Sequence, residues 1–207
     1  MNVRDEVDGA VRLSQQLEDL VVRKGTYPSG DRNVLLILYW ALLFDYYRGI
    51  LSLLSSQHFG SAFALVRPVI EATIRAHVVV MGSEEDVRSI RQDEYRVNFE
   101  GIGSEIDKAF GLDGLMENFL KQAREALHSY THSGALQLGR RLDGDEIKPH
   151  YSEGEIYEVI NVTSSAAFMV TSLLTKHFGL DEEWQAAARV FAEWGRHSEP
   201  SGPAALG

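Results

Sequence analysis

The chain contains no cysteine, and its basic residues are outnumbered by acidic ones. Without cysteine, it has no disulfide framework, no thiolate metal site and no thiol nucleophile. Lysine and arginine total 20 against 30 aspartate and glutamate residues, which gives a formal net charge of -10. A protein this acidic has no general attraction for nucleic acid or an anionic membrane, so binding RNA would require a local basic patch.

Several targeting and fold signals are also missing. The first ten residues, MNVRDEVDGA, carry acids and no apolar stretch, and so are not typical of a signal peptide. The longest apolar run, residues 34–44, is too short to span a bilayer and is typical of a buried core helix. We therefore predict a cytoplasmic protein without membrane contact. No Gly-rich phosphate loop, internal repeat or sustained β alternation occurs.

Short local signals mark where helices begin and end. Asn2, Asp31 and Asp113 each stand where a helix N-cap is expected. The run TYPSG at 26–30 separates the first two helices, and Ser-x-x-Glu at 152–155 is a capping box for a later one.

The apolar patterns between these signals predict an all-α fold, an up-and-down bundle of four core helices with extra helices around it. The predicted core helices are 31–57, 61–81, 114–132 and 153–178. The extra N-terminal, middle and C-terminal helical segments are 2–24, 84–110 and 181–195. Together they predict a single domain over residues 1–195, followed by a disordered tail at 196–207.

The predicted central helix, SAFALVRPVIEATIRAHVVVM, is apolar almost all the way round. Three of its residues stand four apart and so share one helix face as a charged row: Arg67, Glu71 and Arg75. Because charges on a buried helix are costly unless paired or used, the row is either a structural ion ladder or the wall of a site. Pro68 predicts a kink near Ala64. His77, among apolar valines, is typical of a core histidine.

A second polar face lies on the predicted helix 114–132. Its members fall within about 80° of arc at helical spacing: Glu117, Lys121, Arg124, His128 and His132. His128 and His132 have the spacing with which two imidazoles on one helix hold a metal, and Glu71 is the natural third ligand. Histidines on a polar face are also commonly just solvated, and we predict no metal and no other cofactor.

Two stretches of the sequence carry short motifs that occur together in known proteins. HFGSAFALVRPVIEA (58–72) has a small-residue turn before an Arg-x-x-x-Glu pair, and ALHSYTHSGALQLGRR (126–141) has a polar, His-rich end. Together they resemble helices of bacterial all-helical proteins of the HEPN superfamily, over about residues 31–178. The resemblance implies a bundle that dimerises, often in defence or toxin–antitoxin settings, with RNA cleavage in the active members.

The active members of that superfamily use Arg, then four to six residues, then His. In this chain Arg124 precedes His128 by three intervening residues and His132 by seven, so the motif departs from the pattern.

The sequence is consistent with three functions, and it does not decide whether the protein is an enzyme. The first is a HEPN-like dimer whose polar pocket binds or cleaves RNA or a nucleotide, with histidine as general acid or base. Its catalytic candidates are Arg124, His128, His132 and Glu71, and its phosphate-binding candidates are Arg67, Arg75, Arg140 and Arg141. The second is a non-catalytic helical interaction or dimerisation module. The third is a mononuclear metal site at His128 and His132.

Two further predictions concern how these residues are arranged. We expect the charged row and the His-rich end of helix 114–132 to line one pocket, because each supplies charges that compensate the other. We also expect a homodimer, since the second helix carries more apolar residues than one bundle needs, among them Trp40, Tyr46 and Tyr47.

Overall fold

The fold is all-α within the residues that the computed structural model describes, apart from one minimal hairpin, so the predicted fold class is confirmed. The described residues are 2–121, 138–139, 142–143, 146–147 and 150–198. The helices are α1 (Val3–Val22), α2 (Asp31–Ser55), α3 (Phe59–Ala64), α4 (Val66–Met81), α5 (Glu84–Arg91), α6 (Ile102–Phe110), α7 (Glu153–His177) and α8 (Asp181–Ser198). Residues 115–121 are also helical. In the hairpin, Leu142–Asp143 pairs antiparallel with Glu146–Ile147.

The N-terminal helix α1, which the sequence placed outside the core, packs against α2, α7 and α8. It buries one apolar stripe at helical spacing: Val7, Ala10, Leu13, Leu17 and Val21. α4 packs against both α2 and α7, so these four helices share one core. The predicted choice of core helices is therefore wrong for α1. Of the predicted core helix 114–132, the described part reaches the core through Met116 and Leu120.

Three hydrogen bonds join α2 to α7, spaced about two helical turns apart. Their atoms are Asn33 Oδ1 with His177 Nε2 (2.8 Å), Trp40 Nε1 donating to Thr171 Oγ1 (3.1 Å), and the hydroxyls of Tyr47 and Ser164 (2.6 Å). Because successive bonds advance along α2 and retreat along α7, the two helices are antiparallel. Trp40 and Tyr47 lie inside this interface, so the prediction that they are surplus surface for a partner is wrong.

The segment predicted as one central helix is two helices, α3 and α4, separated at Leu65. Pro68 explains the break, because it lacks the N–H that a continuous helix would bond to the Ala64 carbonyl. In the first turn of α4, a residue's backbone N–H has no carbonyl acceptor within the helix, so Pro68 costs α4 no hydrogen bond. The predicted position of the distortion is confirmed, and the predicted continuity of the helix is wrong.

Two of the predicted caps are confirmed. The Asn2 side chain accepts a hydrogen bond from the Arg4 backbone N–H at 3.1 Å. The Ser152 hydroxyl accepts from the Glu155 N–H at 3.2 Å, and the Glu155 carboxylate accepts from the Ser152 N–H at 2.9 Å, which completes the capping box.

The other two predicted caps are wrong. Asp31 is the first residue of α2, and Gly30 occupies the cap position with a φ of 126°. Asp113 lies in a turn with a φ of 48°. The start of helix 115–121 is capped by Asp107 of α6, whose two carboxylate oxygens accept from the N–H groups of Met116 (2.8 Å) and Glu117 (2.9 Å).

Two of the described helices are long and apolar enough to span a membrane by length and composition alone. They are α2, with a mean hydropathy of 1.5 over its most apolar window, and α7, with 1.2. The bundle buries 56% of that window in α7 and 39% in α2. α2 therefore retains more exposed apolar surface than α7. At the other end of the chain, α8 continues to Ser198, beyond its predicted end, and the rest of the predicted tail lies outside the described residues.

Candidate functional site: a charged groove between α2 and α4

The charged row of Arg67, Glu71 and Arg75 is an ion ladder along α4. Arg67 Nε donates to one Glu71 oxygen at 2.8 Å, and Arg75 Nη1 donates to the other at 3.2 Å. The three side chains are 27%, 25% and 21% exposed, so none is a fully buried ion. The row therefore avoids the cost of isolated buried charge by pairing internally and keeping contact with water.

The two arginines keep Glu71 ionised. Burial raises the pKa of Glu71, but the hydrogen bonds from Arg67 and Arg75 outweigh burial and hold it below its ordinary value. With two guanidinium groups around one carboxylate, the row carries a net charge of one positive unit. The row is thus one unit of positive charge on a protein whose formal net charge is -10.

The row also forms one wall of a groove of about 300 Å³. The groove is lined from α2 by Tyr39, Leu42 and Tyr46, and from α4 by Arg67, Pro68, Glu71, Ala72 and Arg75. We call it the charged groove.

The direction of the helices decides which tyrosine accompanies which arginine. Arg32, near the start of α2, donates to the carbonyls of Val79 and Val80 near the end of α4, so the two helices are antiparallel. Tyr39 therefore lies at the Arg75 end and Tyr46 at the Arg67 end. Burial raises the pKa of Tyr39, the Arg75 charge opposes that rise and the Asp93 charge adds to it, so both charges lie near Tyr39.

The connection from α5 to α6, residues 92–101, runs beside the row, and we call it the strap. At one end, the Arg67 guanidinium carbon lies 5.7 Å from the centre of the Phe99 ring, which is cation–π distance. At the other end, burial, Asp86 and Glu105 raise the pKa of Tyr95, and the Arg75 charge opposes that rise. The strap therefore reaches both arginines of the row.

The predicted site residues divide into those that the structure brings together and those that it does not describe. Arg67, Glu71 and Arg75 are brought together as predicted. Of the second polar face, Glu117 and Lys121 are described, and they pair with each other at 2.9 Å. The remaining candidates lie outside the described residues: Arg124, His128, His132, Arg140 and Arg141. The pocket shared by the row and the two histidines therefore stays a prediction.

In the part of the chain that is described, no three histidine, aspartate or glutamate side chains come together as a metal site. His77 is a core histidine, as predicted. It is fully buried, its Nδ1 bonds with the Thr73 carbonyl at 2.8 Å, and its ring meets the edge of Phe110. Burial lowers the pKa of His77 to about 4, so the ring is neutral at neutral pH. The metal alternative at His128 and His132 lies outside the described residues.

Sequence reasoning missed the aromatic walls of the charged groove. Tyr39 and Tyr46 are seven residues apart, and this two-turn spacing on one helix face was the available signal. Tyr95, Val97 and Phe99 alternate along the strap, and all three pack against the core. Alternation over so few residues between two helices did not indicate that these side chains lie beside the charged row.

The described residues define an all-α bundle with a charged, aromatic-lined groove. The chain belongs to a family of unknown function, DUF6988, whose model matches residues 40–194. The match includes the whole charged row and the strap, and it leaves out α1. No curated protein and no solved structure matches the chain.

Proposed function

We propose that this protein is a HEPN-like helical bundle that binds RNA or a nucleotide in the charged groove. One observation carries the proposal: two partly exposed arginines and two tyrosines line the same groove, with one carboxylate between the arginines. Arginine matches the geometry of phosphate oxygens through paired N–H donors, and tyrosine rings offer planar faces on which bases stack.

The size and charge of the groove favour a small contact. Its volume of about 300 Å³ lies at the lower end of the range for ligand pockets. Two arginines reach about two phosphates, and the remaining surface of an acidic protein repels the rest of a long polyanion. We therefore expect weak dependence of the affinity on salt, with a log–log slope of about -1.4 for single strands.

Cleavage is the catalytic form of the same proposal. His128 or His132 would act as general base or acid on a ribose 2′-hydroxyl, and Arg124 or Arg75 would stabilise the phosphate as its charge develops. Glu71 would orient the reacting histidine, and Arg140 and Arg141 would extend the phosphate contacts. In this proposal the protein acts in the cytoplasm, in a defence or toxin–antitoxin setting, without a metal.

The binding test uses a fluorescently labelled RNA hexamer, with unlabelled nucleotides as competitors, followed by fluorescence anisotropy. Arg75→Gln removes a guanidinium from the groove and should weaken binding by about tenfold or more. Arg88→Gln is the matched control, because Arg88 pairs with Glu85 on the solvent-facing side of α5. Equal affinity in the wild type and Arg75→Gln would reject the groove as the binding site.

Cleavage is tested separately, with the same RNA and no added metal. His132→Ala should abolish any cleavage while leaving anisotropy binding intact. Intact RNA after long incubation with the wild-type protein would leave binding as the activity and reject the catalytic form.

A second candidate function, self-association, is favoured by an exposed apolar stripe on α2. The stripe consists of Val34 (47% exposed), Leu38 (57%) and Leu42 (39%), which are four residues apart and so share one face. Exposed apolar surface of this kind marks interaction sites.

The stripe suits a second copy of this chain because it is symmetric about Leu38. In an antiparallel pair, Val34 of one copy meets Leu42 of the other. Both ends of the stripe carry mixed charge, through the ion pairs Asp31–Arg91 and Asp45–Arg48. The two ends can therefore meet without a like-charge clash.

A further inference from the structure

We propose that the strap, residues 92–101, gates one side of Arg67 at the edge of the charged groove, with Phe99 as the latch that lies against the guanidinium. This inference rests on the proposed ligand-binding function of the groove, and it adds the element that controls entry. Its basis is the contact between the Arg67 guanidinium and the Phe99 ring, 5.7 Å from carbon to ring centre.

The strap is built to rest on the bundle through side chains. Its alternating apolar residues, Tyr95, Val97 and Phe99, pack against the core, and the intervening Arg96 and Asn98 face solvent. A turn stands at each end, at Asp93 (φ 58°) and Gly101 (φ 83°). Near the first turn, the Tyr95 N–H bonds with the Ser89 carbonyl of α5 at 3.1 Å. The strap is therefore fixed to α5 at its start and continues at its end into α6, whose first residue, Ile102, is buried. The moving part of the latch is thus the Phe99 ring.

The latch contact competes with a ligand for Arg67. An aromatic ring attracts the guanidinium through its negative face, and a phosphate attracts it more strongly because the phosphate is fully charged. With Phe99 in place, the ring covers Arg67 on the strap side of the groove. Arg67 is 27% exposed and lines the groove with the ring in place, so a ligand must displace the ring only to take the covered side of the guanidinium.

Accessibility of Arg67 tests the latch without any ligand. Phe99→Leu keeps an apolar side chain on the core but removes the ring, and phenylglyoxal labels exposed arginines. Proteolysis after Glu71, once the reaction is stopped, separates the Arg67 peptide from the Arg75 peptide for mass spectrometry. We expect labelling of Arg67 to rise about two- to fivefold in Phe99→Leu, with Arg75 much less affected. Glu94→Gln, at an exposed position of the strap, is the control and should leave both rates unchanged.

Binding kinetics separate a gate from a direct ligand contact. With the labelled RNA hexamer in stopped flow, loss of the latch should raise the association rate, leave the dissociation rate nearly unchanged and so lower Kd, because the ring competes with the ligand and is already displaced in the complex. If Phe99 instead contacts the RNA, Phe99→Leu raises the dissociation rate alone and weakens Kd, which overturns the gate.

The two proposals fail in different ways. If the wild type binds no RNA but Phe99→Leu still exposes Arg67, the proposed ligand is wrong and the latch stands. If RNA binds and Arg75→Gln weakens it, while Phe99→Leu changes neither Arg67 labelling nor the rates, the groove stands and the gate is rejected. Circular dichroism and thermal unfolding of Phe99→Leu must match the wild type to within a few degrees, so that local opening is not mistaken for unfolding.

Discussion

At the scale of single residues, Glu71 neutralises one of the two arginine charges in the groove. Its carboxylate is the acceptor for both arginines of the row, and their hydrogen bonds depress its pKa despite burial. A carboxylate with a depressed folded-state pKa stabilises the fold above its unfolded-state pKa. That stability is lost as the pH falls through the folded-state value.

Glu71→Gln should therefore destabilise the protein at pH 7 by about 0.5–1 kcal/mol, a figure kept small because the ion pairs are partly exposed. The difference from wild type should shrink below the ordinary glutamate value of 4.5 and vanish once Glu71 is protonated in both states. Urea denaturation followed by circular dichroism at several pH values measures this difference. Glu85→Gln, which removes an exposed partner of Arg88, is the control and should change little at any pH.

His77 gives a second pH-dependent prediction at the residue scale. Burial lowers its folded-state pKa to about 4, so the unfolded chain binds its proton first as the pH falls. Above pH 6.5, the ordinary pKa of histidine, the buried neutral ring does not reduce the stability of the fold. As the pH falls from 6.5 to about 4, the unfolded chain takes up the proton first and the stability decreases. NMR of the folded protein should show no titration of His77 above about pH 5, and in urea its ring should titrate near 6.5. Titration near 6.5 in the folded protein would contradict its burial.

At the scale of elements, the junction between α6 and helix 115–121 depends on two residues of α6. Asp107 accepts from two backbone N–H groups at the start of the second helix. Gly103 lets the two backbones approach, since a Cβ there would lie 2.6 Å from the Glu117 Cα. Both contacts join residues about ten or more positions apart, beyond the range of local capping rules.

Asp107→Ala should cost about 1–2 kcal/mol, because it leaves two N–H groups without their acceptor in a mostly buried junction. Hydrogen exchange should accelerate at the Met116 and Glu117 amides, and chemical denaturation should report the loss of stability. Asp113→Asn is the matched control: Asp113 has a φ of 48°, which asparagine tolerates, and it does not cap the helix. If Asp113→Asn destabilised as much as Asp107→Ala, the assignment of the cap would be wrong.

At the scale of the whole molecule, the apolar stripe of Val34, Leu38 and Leu42 is the surface on which we expect a second copy to bind. The bundle buries other residues of α2 and leaves these three partly in water. A second copy packed against the stripe would remove that apolar surface from water, and this favours association by about 25 cal/mol per Å².

Leu38→Glu should convert a dimer into a monomer, because it places a charge on the symmetry axis of the stripe opposite its own copy. Light scattering at micromolar concentration should give twice the 23.1 kDa chain mass for the wild type and the single mass for the variant. Circular dichroism should stay unchanged, since Leu38 is mostly exposed. Val22→Glu, at a position 65% exposed on α1, is the control and should remain dimeric. A monomeric wild type would reject self-association.

The sequence predicted the helices, the distortion at Pro68, the capping box at Ser152 and the alignment of the charged row. These features arise from interactions within about four residues, where the 3.6-residue period and the capping rules act. The positions of Arg124, His128 and His132 relative to the row remain predictions. Tyr39 and Phe99 could not be placed beside the row from the sequence, because helix packing and the path of the strap bring them there.

The sequence by itself determined that α2 is a long apolar helix, and only the tertiary structure decided which of its sides is buried. Apolar residues surround the axis of α2, so periodicity indicates no preferred face. Packing against α1, α4 and α7 buries Trp40 and Tyr47 and leaves Leu38 in water. The same packing sets Tyr39 and Tyr46 against the charged row, and so forms the groove. Which face a uniformly apolar helix buries is determined by contacts between residues far apart in the chain, and no local pattern records them.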